Sequence, residues 1–361
     1  MHDNDTYIHW LSRISGLGSR KIFSIMEYFP DLEEVFTAPR EKLKNINGLS
    51  DQNIHNIISN RGDLLLKYKS GLDELGIKFI TINNPGYPAL LKEIYDPPAC
   101  FYMLGEMPCD TLPKLSIIGS RRCSEYGLTV SRKLAKELAP YNIIIVSGMA
   151  KGIDASAHNG TLEGGGKTVA VLGCGVDICY PAENRLLREQ IIKNGCVISE
   201  YPPGTKPMPS HFPIRNRIIS GLSVATVVVE AAEKSGTLIT VGQALEQGRE
   251  VFAIPGNVTS KLSRGTNSLI KQGAALVENY LDILHLLNIE EKRKPEQKTR
   301  PKADLKPEEQ KILNFIEEEP ISVADIINLS KSTASEVQYI LTMLEINGLI
   351  QKLPGQRYIR M

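Results

Sequence analysis

Between residues 114 and 277 the chain alternates short Val- and Ile-rich runs with clusters of small, polar or basic residues. LSIIG leads into Ser120-Arg121-Arg122, and NIIIV into Ser147-Gly148-Met149-Ala150-Lys151-Gly152. VAVLG leads into Cys174-Gly175, CVIS into Glu200-Tyr201-Pro202-Pro203-Gly204, ATVVVEA towards Ser235-Gly236-Thr237, and VFAIP into Gly256-Asn257. Helical patterns follow most of these clusters. Runs apolar on both faces are the mark of buried parallel strands, and their alternation with helices implies right-handed crossovers in a three-layer sandwich. In such a sheet the loops that follow the strands all leave from the carboxyl edge, where α/β folds bind ligands. A crevice there, rich in backbone N–H groups and arginine, suits phosphate, whether of a nucleotide or of a nucleic-acid backbone.

The expected fold class is therefore α/β, a Rossmann-like three-layer parallel sheet flanked by two smaller parts. Residues 1–70 read as short helices, in which Ile14-Ser15-Gly16-Leu17-Gly18-Ser19 and Ile46-Asn47-Gly48-Leu49-Ser50 have the outline of helix-hairpin-helix turns. This SAM/helix-hairpin-helix-like domain either presents backbone N–H groups to a DNA phosphate or is a helical packing module without a ligand. Residues 71–288 form the extended Rossmann-like domain, with GIKFITI and the Pro-punctuated stretch after it adding to the same sheet. Residues 289–304 are charged and read as a linker. Residues 305–361 give three helical patterns and a hairpin turning at Pro354-Gly355, the outline of a winged helix.

Charge narrows the partners. The formal net charge is only +1, so nucleic acid would be held by a local patch. Residues 305–361 hold six Lys and Arg against eight Asp and Glu, a net of −2, and TASEVQYILTMLEIN has no basic residue. A protein contact, or accessory DNA contact through Lys352, Arg357 and Arg360, is expected there rather than duplex reading. The six cysteines form no Cys-x-x-Cys pair and are read as reduced thiols in a cytosolic, metal-free protein. The polar, acidic start MHDNDTYIHW is not a signal peptide, and no apolar run reaches the about 18 residues that span a bilayer.

Four clusters carry the candidate chemistry. Gly119 allows close backbone approach, Ser120 offers a hydroxyl, and Arg121 and Arg122 offer planar forks for phosphate oxygens; the alternative is a tight turn with a surface salt bridge. Ser147, Gly148 and Lys151 precede a helix start suited to an anion. Near them Asp154 caps the helix or joins the site, and His158 is expected to hold a buried hydrogen bond. In His211-Phe212-Pro213-Ile214-Arg215-Asn216-Arg217, a base stacks on Phe212 while Arg215 and Arg217 meet phosphates. Alternatively, Phe212 fills the core and one arginine pairs with Glu200 or Glu230. Ser235-Gly236-Thr237 is a further helix-start anion site. No nucleophile-base-acid spacing, zinc-hydrolase helix or Walker A loop emerges, so neither catalysis nor a cofactor is expected.

GSRRCSEYG, SGMAKGIDASAH, LGCGVDICYPAEN, SEYPPG, HFPIRNRIISGLS, VVVEA, SGTLIT and GREVFAIPG, in this order from residue 116 to about 277, together resemble the DNA-processing protein A (DprA/Smf) family. The resemblance implies a cytoplasmic, non-catalytic protein that binds single-stranded DNA, protects incoming strands in natural transformation and helps to load a RecA-type recombinase, acting as a homodimer. By motif it implies pocket residues Arg121, Lys151, Phe212, Arg215 and Arg217, with Gly119, Ser120, Ser147 and Gly148 on the floor; Arg122, which can point either way from the turn, is the next candidate after these. The rival is a nucleotide-binding phosphoribohydrolase on the same architecture. Against it, Ala232-Glu233-Lys234-Ser235-Gly236-Thr237 lacks the Pro-Gly-Gly of those enzymes.

Overall fold

The structure, a computed structural model, describes residues 4–61, 71–290, 305–317 and 319–360. The expected boundary at residue 70 and nearly all of the expected linker lie outside the described residues. The chain divides into two compact units, Met1–Glu290 and Glu291–Met361.

The larger unit is built on nine strands: β1 (Lys78–Thr81), β2 (Cys100–Gly105), β3 (Lys114–Ile118), β4 (Ile144–Ser147), β5 (Thr168–Val171), β6 (Gly195–Ser199), β7 (Ala225–Val228), β8 (Glu250–Ala253) and β9 (Ala275–Leu276). Their spatial order is β1-β2-β6-β5-β4-β3-β7-β8-β9. Strands β3 to β9 pair in parallel, while β2 and β1 extend the β6 edge antiparallel. The extension expected from residues 71–112 is thus part of the same sheet.

Alternation along the strands makes the layers. Ile145 and Val227 join a core with Leu134, Leu138, Ile153 and Ala157, from helices Glu125–Leu138 and Ile153–Glu163. Their neighbours Val146 and Val228 join the opposite core with Ile218, Ile219, Val241 and Ala244, from helices His211–Gly221 and Thr237–Glu246. Successive side chains of a strand point to opposite faces, so two helical layers cover one sheet. The order also fixes where a crevice opens. From β3 the chain steps out to β6 on one side, then returns to lay β7 against the other side of β3. The loops after β3 and β7 part at this reversal and open a crevice at the carboxyl ends.

Helices Asn4–Ser12 and Ser19–Tyr28 form one hairpin and Arg40–Lys44 and Asp51–Ser59 a second, joined through the short helix Glu33–Thr37; the two turns carry Gly16 and Gly48 with positive φ (86° and 84°). The second hairpin braces the first: Asn53 Nδ2 donates to Gly16 O at 3.1 Å and Asn56 Nδ2 to Ser15 O at 2.9 Å. Their core includes Trp10, Leu11, Ile25, Leu43 and Ile57, and it also takes in Ala99 and Cys100 at the start of β2. Helices and sheet therefore share buried surface within one unit.

The smaller unit holds helices Pro307–Leu313, Val323–Ser330 and Ala334–Ile346 and a sheet ordered β10 (Ile321–Ser322), β12 (Arg357–Arg360), β11 (Ile350–Leu353). Ile316, Ile326, Val337, Leu341 and Tyr358 fill its core. Three helices with a terminal hairpin make a winged helix. Among the described residues no helix is long and apolar enough to cross a membrane.

Candidate nucleic-acid interface

At the reversal point lies a crevice of about 600 Å³, lined from the β3 side by Gly119, Ser120, Arg121 and Arg122 and from the β7 side by Ser235, Gly236 and Thr237. Glu230, buried at the end of β7, ties the two sides together. Its backbone carbonyl accepts the Ser120 N–H at 2.8 Å. Its carboxylate accepts the Ser124 N–H at 2.9 Å and the Ser124 hydroxyl. Ser124 is the N-cap of helix Glu125–Leu138, so a negative charge sits where the helix dipole favours one. Within the β3 loop the Ser120 hydroxyl accepts the Arg122 N–H at 3.2 Å and donates to the Arg122 carbonyl at 2.9 Å. The loop is thus fixed from inside while both arginine side chains remain exposed.

The aromatic wall comes from further along the chain. Phe212, in the first turn of helix His211–Gly221, is half-buried and lines the crevice. The Arg121 guanidinium carbon lies 4.8 Å from the centroid of its ring, a cation–π contact. Tyr180 stacks on the same residue at 5.6 Å with 27° between the ring planes, and is itself 42% exposed. Arginine, Phe212 and Tyr180 form one flat-faced group at the mouth of the crevice, the shape on which unpaired bases stack. Tyr180 has no periodic signal around it. Its position before Pro181, in the loop after β5, was the only sequence cue to an exposed aromatic there.

The floor is polar. Arg215 is buried, donating from Nη1 to Gly148 O at 2.9 Å and to the Val171 carbonyl, and from Nε to Asn216 Oδ1 at 3.2 Å. Burial pulls its guanidinium down to about 10, opposed by Asp154, so it stays charged at neutral pH. Asp154 lines the same floor; burial pushes its carboxyl up, against the pull of Arg215.

The residues expected at this site divide into two groups. Gly119, Ser120, Arg121, Arg122, Phe212 and Arg215 line the main crevice, and Gly148 lines a small recess continuous with Arg121, Phe212 and Arg215. Ser147, Lys151 and Arg217 do not line the crevice or its recess. The Ser147 side chain is fully buried and its hydroxyl donates to Ile117 O at 2.7 Å inside the sheet. Lys151 pairs with Glu183 at 2.6 Å on the surface, outside the crevice lining. Arg217 is buried on the far side of its helix, held by Glu200 at 2.7 Å and Asp96 at 3.3 Å. Two residues apart on a helix project about 200° apart, so Arg215 and Arg217 cannot serve one pocket. The pairing with Glu200 is the alternative that holds for Arg217. His158 has the expected structural role: buried, it shares a 2.7 Å hydrogen bond with the Thr168 hydroxyl, which itself donates to Ile145 O. Its Nδ1 is therefore the donor, and burial together with Arg215 pushes the imidazole down to about 3, keeping it neutral.

Comparison with known proteins gives the relationship. Residues 78–288 match the family model for DNA recombination-mediator protein A, and residues 296–356 that for the DprA winged helix domain. Protein Smf of Synechocystis is 34% identical, with 99% of each chain covered. DNA processing protein DprA of Streptococcus pneumoniae is 46% identical over 55% of this chain and 70% of that protein. The X-ray structure of that DprA superposes with a TM-score of 0.69 at 36% identity, covering 79% of this chain and 98% of the other. A structure of DNA processing protein A from Helicobacter pylori, which addresses its unique single-stranded DNA binding mode, gives a TM-score of 0.53 at 31% identity, covering 58% and 96%. With both its α/β body and its winged helix matched, the chain belongs to the DNA recombination-mediator protein A (DprA/Smf) family.

Proposed function

We propose that this chain binds single-stranded DNA in the crevice between the β3 and β7 loops. In this reading it acts as a homodimer that protects incoming strands and helps to load a RecA-type recombinase on them. The observation that carries the reading is the group formed by Arg121, Phe212 and Tyr180 at the crevice mouth, with Arg122 beside it. Stacking contributes about 1–3 kcal/mol per base and accepts any base. Each phosphate neutralised by an exposed arginine releases counterions and makes affinity fall with salt. The single-stranded DNA binding of the Helicobacter pylori relative supports the same reading. A homodimer would offer two such crevices, so one long strand could bridge both with a gain in avidity. The acidic balance of residues 305–361 suits the winged helix to a protein contact.

The test is a fluorescence-anisotropy titration of labelled poly-dT and of a duplex of the same length, at two salt concentrations, with wild type and Arg121→Ala. Strong preference for the single strand, lost in the variant, is the expected result. Equal or absent binding throughout would overturn it. Recombinase loading is then tested by whether the protein shortens the lag of RecA assembly on a strand coated with single-strand binding protein.

A further inference from the structure

Helix His211–Gly221 separates the crevice from a second groove. Pro213 and Asn216 line the crevice, whereas Ile214 and Arg217 of the same helix line a groove of about 380 Å³. The facing wall is the first hairpin turn of the helical domain, from Gly16 to Ile22. The helix that starts there, Ser19–Tyr28, has Gly18 as its N-cap and no side-chain cap, so its first N–H groups stay open to an anion. The second hairpin differs, because Ser50 caps helix Asp51–Ser59 by accepting the Asn53 N–H at 3.2 Å. That hairpin braces the first turn instead: Lys21 Nζ bridges Gly16 O at 2.9 Å and Asn53 Oδ1 at 2.8 Å. The Arg217 side chain is only 9% exposed, and its Nη1 has no hydrogen-bond partner among the described residues. Two carboxylates also line the groove, and both are paired. Arg217 holds Glu200 at 2.7 Å and Asp96 at 3.3 Å, and Asp96 also meets Arg20 at 3.3 Å. Arg20, Lys21 and Arg217 stand against these two acids, so the groove carries one positive charge in excess.

Beside the groove, the Tyr95 ring lies under the Arg20 guanidinium, 4.6 Å from its carbon. This repeats, across the helix, the pairing of Arg121 with Phe212. Tyr95 is 87% exposed, more than any other large apolar side chain among the described residues; burial does not account for it. Between the two arginine–aromatic groups stands Ile214, itself 48% exposed. We propose that a single strand leaving the crevice crosses this helix and is held a second time by the helical domain, with a base on Tyr95 and phosphates against Arg20 and the start of helix Ser19–Tyr28. The proposal rests on the crevice being the single-strand site. It gives the helical domain a direct share in the strand: Arg20 and the open helix start meet the backbone, and Tyr95 meets a base face.

The test uses the full chain and labelled oligo-dT of two lengths, about 6 nucleotides to fill one crevice and about 20 to run on beyond it. Tyr95→Ala and Arg20→Ala remove exposed side chains that the core does not use. On the long strand, Tyr95→Ala is expected to weaken binding about fivefold or more with an unchanged salt slope, and Arg20→Ala to lower the slope by about 0.7. On the short strand both variants are expected to bind as wild type does. Long-strand affinities of both variants within about twofold of wild type would overturn the inference. So would equal losses on the two lengths, which would mean that the variants act through the crevice or the fold. Failure of the crevice reading would remove the ground of the inference as well, and it shows separately, as binding of both lengths that survives Arg121→Ala.

Discussion

The Arg121 guanidinium carbon lies 4.8 Å from the centre of the Phe212 ring, which brings a loop after β3 onto a helix that follows β6. The two side chains have different physics and so different signatures. Arg121→Ala should weaken single-strand binding and lower the salt slope by about 0.7, the value for one phosphate contact on a single strand. Phe212→Ala should cost about 1–3 kcal/mol of binding with the slope nearly unchanged, because stacking releases no counterions. Anisotropy titrations over a salt series separate the two. If Phe212→Ala lowers the melting temperature and spares binding, the ring is a packing residue only.

Arg217 and Lys151 provide the contrast. Removing the buried Arg217 leaves the half-buried Glu200 carboxylate with the Ser19 hydroxyl at 2.6 Å but without its ion pair, at a cost of about 1–3 kcal/mol. Arg217→Ala should therefore lower the melting temperature strongly, whatever it does to DNA binding. Lys151→Ala removes half of an exposed pair with Glu183, worth about 0–1 kcal/mol. It should leave stability, affinity and salt slope close to wild type. A salt slope reduced as in Arg121→Ala would return Lys151 to the binding surface.

These contrasts mark how far the sequence reaches. The Val/Ile runs announce buried parallel strands, and the rule that their following loops share one edge already brings Gly119 to Arg122 and Ser235 to Thr237 together. The 3.6-residue period of the helix is by itself enough to set Arg215 and Arg217 on different sides. Other facts depend on contacts that no local pattern encodes. Lys151 pairs with Glu183, which stands in a different loop. Ser147 ends a strand with its hydroxyl turned into the sheet, towards Ile117. Tyr180 reaches Phe212 only because the β5 loop folds over the helix that follows β6.

The clamp at Glu230 can be tested by a double-mutant cycle. A Cβ at Gly127 would fall 2.5 Å from a Glu230 carboxylate oxygen, so Gly127→Ala crowds the group that caps Ser124. Glu230→Ala leaves the Ser124 N–H and hydroxyl without their partner, at a cost of about 1–3 kcal/mol. Gly127→Ala should destabilise wild type by about 1–3 kcal/mol through overpacking, and much less in the Glu230→Ala background. Additive effects would mean that the two residues do not meet through this contact.

His158 links the core to pH. The folded protein holds its imidazole at about 3, against an ordinary value of 6.5, because burial and Arg215 oppose the charged form. The unfolded chain therefore binds the proton more tightly. Above pH 6.5 the residue is neutral in both states and its full contribution to stability is present. As pH falls below 6.5 that contribution is lost, by up to about 1.4 kcal/mol per pH unit, until the folded protein also takes up the proton near pH 3. His9, held at about 4 by burial and Arg13, adds a loss of the same sign, but it cancels in a comparison of two proteins that share it. Unfolding measured from pH 7 to pH 5 should thus show wild type losing stability more steeply than His158→Gln. Parallel curves would mean that the buried ring accepts a proton as readily in the folded protein as in the unfolded chain.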